Sequence, residues 1–301
     1  MSSSTVTTPA AVAAATARET PRRRPSRRDG SRSGLVVRLV VAIVASAIVF
    51  FPLYWMLVIA FSPRGEVFAP GPPRFWPSEI SFENFATVFA RFPVGEWFVN
   101  SVVIGVFVTV FTVVVNLLAG WGFARLRFPG RNLLFLLALA TMMIPVQAIM
   151  VAQFKLVTGL QIYGTYWSVI LPGAAAAFGI FLARQFFLSI PEELIEAARI
   201  DGAGHLRVFL QIVLPLSKPL IAVLILLTLL GSWNDFAWPL IALKDNELFT
   251  LPIGLLYLKG QSTPDYSASM ALALVSVLPM VLLFLCFQRY FVQGFARSGI
   301  R

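Results

Sequence analysis

Charge is scarce in this chain: of 301 residues only 13% are Asp, Glu, Lys or Arg, about half the share of an ordinary soluble domain. That scarcity excludes a fold that meets water over most of its surface. Cysteine is almost absent. The lone Cys286 cannot form an internal disulfide, and its place in an apolar stretch reads as a small packing residue. Histidine is equally rare; His205, alone and beside Gly204, cannot build a metal cluster. There is no HExxH motif, no Cys–His set and no pair of acids within an apolar stretch, so catalysis has no candidate group. No Gly-Lys dipeptide occurs either. A phosphate-cradling P-loop requires Gly-Lys-Ser/Thr, so the chain is expected to bind neither ATP nor any other cofactor itself.

What is present is apolar. Hydrophobic residues make up 58% of the chain, the mean hydropathy is +0.80, and these residues are gathered in long runs. Six runs, near residues 39–61, 101–123, 132–152, 166–186, 219–243 and 269–290, each supply about the 20 residues a helix needs to cross a ~30 Å hydrocarbon core. They are apolar on all sides, so length identifies them as helices where periodicity cannot; membrane strands would be shorter and alternating. The expected fold is all-α and membrane-integral, with six transmembrane helices. Pro145 is expected to kink the third.

The net charge of +10 invites a nucleic-acid reading, but its distribution opposes one. Eight of the 24 basic residues lie within positions 1–38, with no stacking platform or folded basic face beside them. Residues 1–33, rich in Ser, Thr, Ala, Pro and Arg, are too polar to bury a core and read as a disordered tail near anionic lipid. The run after it is too long for a signal peptide and lacks a small-residue cleavage site, so it reads as a retained first span. With both termini cytoplasmic, the inner segments hold 18 basic residues and the outer loops six. The short loop with Arg125, Arg127 and Arg131 weighs most in that comparison.

Two loops are long. The outer 62–100 loop carries Pro63, Pro70, Pro72, Pro73 and Pro77 with Phe75 and Trp76, and is expected to fold on the outer helix ends or meet an external partner. The inner 187–218 loop has helical grammar. Ser189 and Glu192 have the spacing of a capping box, with Pro191 in the first turn. A short helix is expected through Ile200, broken by Gly202 and Gly204, with a second from His205 to a stop at Pro215. Ile190, Leu194, Ile195 and Ala198 share one side and Glu192, Glu196 and Arg199 another. The small residues at the tip let another surface approach the backbone; a helix lying on the membrane is the plainer alternative.

Among polar residues near the spans, Asn116, Gln147 and Gln153 either line a pathway or hydrogen-bond between helices. Asp235, an acid at membrane depth, is a functional candidate, with a structural or gate role favoured over substrate contact. Trp233 and Trp238 read first as interfacial tryptophans and second as stacking platforms for a sugar ring.

The string Glu196-Ala197-Ala198-Arg199-Ile200-Asp201-Gly202-Ala203, followed by Ile212-Val213-Leu214-Pro215, resembles the EAA loop of type I, binding-protein-dependent ABC importer permeases. Here the glycine follows the second alanine by four residues. Pro52-Leu53-Tyr54-Trp55-Met56, Asn100-Ser101, Trp233-Asn234-Asp235 and Gln288-Arg289-Tyr290-Phe291 are similar to the carbohydrate-uptake branch, of the maltose-permease sort. The resemblance implies that residues 34–301 form one permease domain with the six-helix type I fold and a cytoplasmic coupling helix. It implies that Glu196, Ala197, Ala198, Asp201 and Gly202 dock on an ATPase, with Glu192, Arg199, Ala203, Gly204, Leu214 and Pro215 completing that loop. It places Asn116, Gln147, Trp233, Asn234 and Asp235 as candidate gate or pathway residues. The implied partners are a second permease (a heterodimer is favoured), two ATPase subunits that use the ATP, and an extracytoplasmic solute-binding protein, in a plasma membrane. The C-terminal stretch Gln293–Arg301 departs from the usual small-residue ending, so no ATPase contact is carried onto it. A self-contained secondary transporter or channel is the rival reading, weakened by the single intramembrane acid and the lack of an internal repeat.

Overall fold

The structure, a computed structural model, describes residues 32–72, 74–261 and 265–298. Residues 1–31, most of the expected disordered tail, lie outside the described residues, and residues 32 and 33 already belong to a helix. Among the described residues there is helix and turn but no strand. The chain divides after Phe51 into two units. The first helix, α1 (Arg32–Phe61), runs through that boundary with Pro52 inside it. Its residues 35–53 are all exposed, an apolar surface suited to lipid rather than water.

From Pro52 onward the order is α2 (Glu83–Arg91), α3 (Val94–Arg125), α4 (Arg131–Ala140), α5 (Val146–Gly159), α6 (Trp167–Ile170) and α7 (Ala177–Leu188). Then follow α8 (Glu192–Ile200), α9 (His205–Val208), α10 (Leu214–Leu216), α11 (Lys218–Asn234), α12 (Ala237–Ala242), α13 (Leu251–Lys259) and α14 (Tyr266–Ser298). The central element is α3, about 48 Å long at 1.5 Å per residue. It is apolar all round, so its hydropathy does not say which face is buried. The small and polar residues do: Ser101, Gly105, Thr109, Thr112, Asn116 and Gly120 recur at helical spacing on the buried face. In lipid, helices gain little from burying Leu and associate where small residues let backbones close up. Among the glycines of α3 the approach is closest at Gly120, where a Cβ would lie 2.5 Å from Ala183 Cβ and 3.0 Å from the Arg184 backbone nitrogen. Neither neighbour can swing aside. Gly120→Leu is therefore expected to separate α3 from α7 and cost about 3 kcal/mol or more. Thermal unfolding of the detergent-purified variant checks this.

Three of the six expected spans are interrupted. The third does more than kink at Pro145: α4 ends in a 3-10 turn, Thr141–Met143, and α5 leaves at 107° to it. The proline ring keeps Ile144 extended (φ −89°, ψ 121°) and supplies no backbone donor. The fourth, 166–186, is split around Pro172-Gly173 into α6 and α7. The fifth, 219–243, breaks where Asp235 turns extended (φ −71°, ψ 126°) between α11 and α12. Among the described residues, three helices are long and apolar enough to cross a membrane unaided: Gly34–Phe61, Val94–Arg125 and Tyr266–Cys286. The bent pairs Arg131–Met143 with Val146–Gly159 and His205–Leu216 with Lys218–Asn234 raise that to five. The short α7 makes up the rest of the expected six only as part of a broken segment.

Irregular backbone at this depth needs partners, and buried side chains supply them. Thr112 Oγ1 donates to Gly173 O (2.6 Å), and Ala176 N donates to Asn116 Oδ1 (3.3 Å). Trp238 Nε1 donates to Ser168 O (3.0 Å), the acceptor Pro172 leaves unused.

The 62–100 segment folds back on the body, as expected. Asn84, buried on α2, donates to Ser62 O (2.8 Å), and Arg64 pairs with Asp265 at 2.6 Å. Phe75 and Trp76 sit edge-on to Trp55 and Tyr54, and the Tyr54 hydroxyl donates to Phe75 O. Hydrogen bonds from Ser78, with the Arg74 guanidinium at 2.6 Å, hold the Glu66 carboxyl below its usual range. That tie is fully present above the ordinary carboxylate range and is lost as pH falls through the lowered value.

Candidate functional site

The 187–218 connection begins differently from the capping box its spacing suggests. Ser189 Oγ donates backward to Phe186 O (2.7 Å) and so closes α7. The residue before Pro191 is held out of the helical region, and α8 starts only at Glu192, after Pro191 in extended geometry (ψ 135°). Glu192 and Glu193 remain in its first turn, where the exposed backbone N–H groups favour negative charge.

The end of α8 is a complete Schellman motif. Ala203 N donates to Ala198 O (2.9 Å) and Gly202 N to Arg199 O (3.0 Å), with Gly202 at φ +81°. Ala198 and Ala203, paired by that motif, both pack on one apolar cluster with Ile190, Ile195, Val208, Phe209 and Phe187. A separation of four positions from Ala198 to Gly202 is thus what seats one against the core and puts the other at the left-handed position.

The outward side holds Glu192, Glu196, Ala197, Arg199, Asp201, Gly202 and Gly204, all exposed. Leu194, expected on the buried side with Ile195, is exposed instead, and Ile200 is 86% exposed. Ile200 and Leu206, both bare, were not among the residues singled out by sequence, although a large apolar residue beside a glycine turn is a legible signal.

Pro215 does not stop the second helix. From α9 the chain widens through a π-turn, Phe209–Val213, and passes Pro215 into α10 before bending 78° into α11. A proline cannot donate to the preceding turn, and the π-turn just upstream absorbs that missing bond. Leu214 is half-buried on the same cluster and Pro215 is exposed. Ser217 then ties the bend, its N and Oγ donating to Val213 O at 3.0 and 2.6 Å.

The root of this hairpin is fastened by Arg125 at the end of α3, a residue that sequence reading used only as a charge. Its Nε and Nη2 donate to Phe187 O (3.2 and 2.9 Å), Nη2 also to Ile190 O (2.5 Å), and Nη1 lies 3.9 Å from Glu192 Oε2. Arg184 on α7 reciprocates, donating to Phe123 O (3.3 Å) with its guanidinium 4.3 Å from the Phe135 ring centroid. The two arginines lock the ends of α3 and α7 together at the point where α8 departs.

The other candidates gather at a cavity of about 730 Å³ among α3, α5, α7, α11 and α12. Asn116, Gln147, Asn234 and Asp235 line it, with Gln153, Thr228 and Ser232. Trp233 does not: it turns away to donate from Nε1 to Ser276 O (3.0 Å), packed with Trp97 and Leu272. Trp233 and Asn234, consecutive in α11, point about 100° apart, and the string divides between two faces. Trp238 lines the cavity with its indole N–H already engaged. Asp235 Oδ1 accepts from Ala237 N (3.1 Å), the first residue of α12.

Comparison with known proteins gives the family and the fold. A family model described as "Binding-protein-dependent transport system inner membrane component" matches residues 113–297. The arabinooligosaccharides transport system permease protein AraQ of Bacillus subtilis (strain 168) is 36% identical over 258 residues, covering 85% of this chain and 92% of that one. The sn-glycerol-3-phosphate transport system permease protein UgpE of Escherichia coli O1:K1 / APEC is 34% identical over 260 residues, covering 84% and 92%. A solved bacterial ABC transporter involved in the import of the acidic polysaccharide alginate superposes with a TM-score of 0.75 at 24% identity, over 87% of this chain and 98% of that one, and so shows the fold alone. The chain belongs to the family of inner-membrane components of binding-protein-dependent transport systems, as a multi-pass permease subunit.

Proposed function

We propose that this permease forms half of the pathway of a carbohydrate importer and is driven by a cytoplasmic ATPase that grips the 192–204 hairpin. The observation that carries the reading is the hairpin itself: small residues and a bare Ile200 at an exposed tip, on a root held by Arg125. A partner groove closing on that tip meets Ala197 and Gly202, where little side chain keeps surfaces apart. Glu196, Arg199, Asp201 and Gly204 rim the contact; Ala198, Ala203 and Leu214 hold its shape from behind, and Pro215 sets the exit bend. Glu192 serves the root through Arg125 as well as the contact.

In this reading ATP is bound and hydrolysed by two ATPase subunits, and the chain has no ATP site of its own. A second permease, most simply a different chain, supplies the other half of the pathway. Both termini lie in the cytoplasm, where the excess of Lys and Arg falls. An extracytoplasmic solute-binding protein delivers the sugar to the outer loops, 62–100 and 244–268. Asn116, Gln147, Asn234 and Asp235 line the pathway wall, while Trp233 supports it from the α14 side.

Affinity purification of the tagged chain from gently solubilised native membranes tests this. Recovery of a P-loop ATPase with a second permease is the expected result. Recovery of the chain alone, in a form that still transports, favours a self-contained carrier and overturns the reading.

A further inference from the structure

The cavity is selective in its charge. Apart from the Asp235 carboxylate and the engaged Trp238 indole, the polar side chains on its wall are amides and hydroxyls, and among the described residues no Lys, Arg or His lines it. Among the described residues no side-chain hydrogen bond engages Gln147, Gln153, Thr228 or Ser232, so their side-chain donors and acceptors are open to a ligand. Asn116 is fully buried and its Nδ2 has no acceptor. That nitrogen lies against Gly179 rather than on the open wall, so the ligand's partners are the open side chains just named. The volume of about 730 Å³ falls within the range of roughly 300–1,000 Å³ usual for ligand pockets.

We infer that this cavity binds a neutral polyhydroxylated ligand and rejects anionic sugars, uronates and sugar phosphates alike, with Asp235 as the rejecting group. The inference rests on the carbohydrate-pathway reading and narrows it. Sugar hydroxyls both donate and accept, and so match unpaired amides and hydroxyls of either polarity. A carboxylate or phosphate entering the same space surrenders its water, finds no cation, and meets a fixed negative charge in a medium of low dielectric. Specificity then comes from the unpaired charge presented to the wrong ligand as much as from bonds to the right one. The Asp235 carboxylate is held in place for that role by the Ala237 N–H, on the break that ends α11.

The test uses the assembled transporter in nanodiscs, without its binding protein, and three probes of equal length: a glucose trimer, its uronic acid counterpart and its amino-sugar counterpart. Equilibrium dialysis gives the affinity of each. The neutral trimer is expected to bind at least tenfold tighter than the uronate, with the gap narrowing to less than threefold in Asp235→Asn. The pair Gln147→Ala and Thr228→Val should weaken the neutral trimer at least fivefold. Equal binding of neutral and uronate trimers, a preference for the uronate, an amino-sugar trimer bound more weakly than the uronate, or no binding of any trimer overturns the inference. Carbohydrate uptake by the complex in proteoliposomes, with its binding protein restored, separates the two levels: uptake without charge preference sinks this inference alone, and failure to move any carbohydrate sinks the pathway reading with it.

Discussion

Gly202→Val is expected to reduce ATP-driven uptake more than tenfold while leaving the membrane body folded. Two effects combine at this position. Gly202 sits at φ +81°, a conformation that costs an L-residue about 1–2 kcal/mol and is least available to a β-branched one. The Schellman turn that seats Ala198 and Ala203 is then strained. Among the described residues, its two sequence neighbours aside, no atom lies within 4 Å of where the Cβ would be, so nothing there is displaced. The harm falls on whatever approaches from outside. Gly202→Asn separates the causes, since asparagine tolerates the left-handed region yet carries a side chain into the same space. If docking is the function, Asn impairs uptake nearly as much as Val. If only the turn matters, Asn restores it. Normal uptake with normal ATPase co-purification in both variants refutes the coupling role.

The second large effect is expected at Arg125. Arg125→Ala removes a forked donor from two carbonyls at the α7–α8 junction, and hydrogen bonds from a charged donor are each worth about 1.5–3 kcal/mol. A loss of about 3 kcal/mol is expected, read as a fall in the melting temperature of the purified subunit. Arg125→Lys should recover less than half of that, because an ammonium lacks the planar fork that spans both carbonyls. Function should suffer further. A hairpin loose at its root absorbs the motion it ought to transmit, so ATP hydrolysis should continue while uptake drops. Proteoliposome assays that record both rates distinguish this uncoupling from simple instability, which lowers the two together.

The contrast between these two residues shows what the sequence makes legible. Gly202 could be placed from spacing alone, because a short helix and its left-handed terminator each have a local physical cause. The same holds for the apolar runs at α1, α3 and α14, whose length suffices. Arg125 was visible only as one more positive charge on a short loop. Its partners are backbone carbonyls 62 and 65 residues away, and carbonyls carry no sequence signature. The breaks at Ile144, around Pro172-Gly173 and at Asp235 were hidden for a related reason. Hydropathy averages over a helix and its interruption alike, and the side chains that satisfy the exposed backbone, such as Thr112 and Asn116, come from another helix. Trp233 shows the limit of reading a string as a unit, since Asn234 and Asp235 face the cavity and it does not.

The central claim, that an ATPase closes on the 192–204 hairpin, is tested most directly by site-specific cross-linking. Cys286 is the only cysteine, so Cys286→Ser gives a clean background into which Ala197→Cys is placed at the exposed tip of α8. A short bifunctional maleimide is then added to native membranes. The account predicts a product of this chain with a P-loop ATPase, strongest at position 197 and absent when cysteine replaces Gln261, in the outer 244–268 loop. An ATPase that co-purifies but cross-links at neither Ala197 nor Gly202, or a hairpin cysteine that reacts only with lipid-soluble reagents, would contradict it.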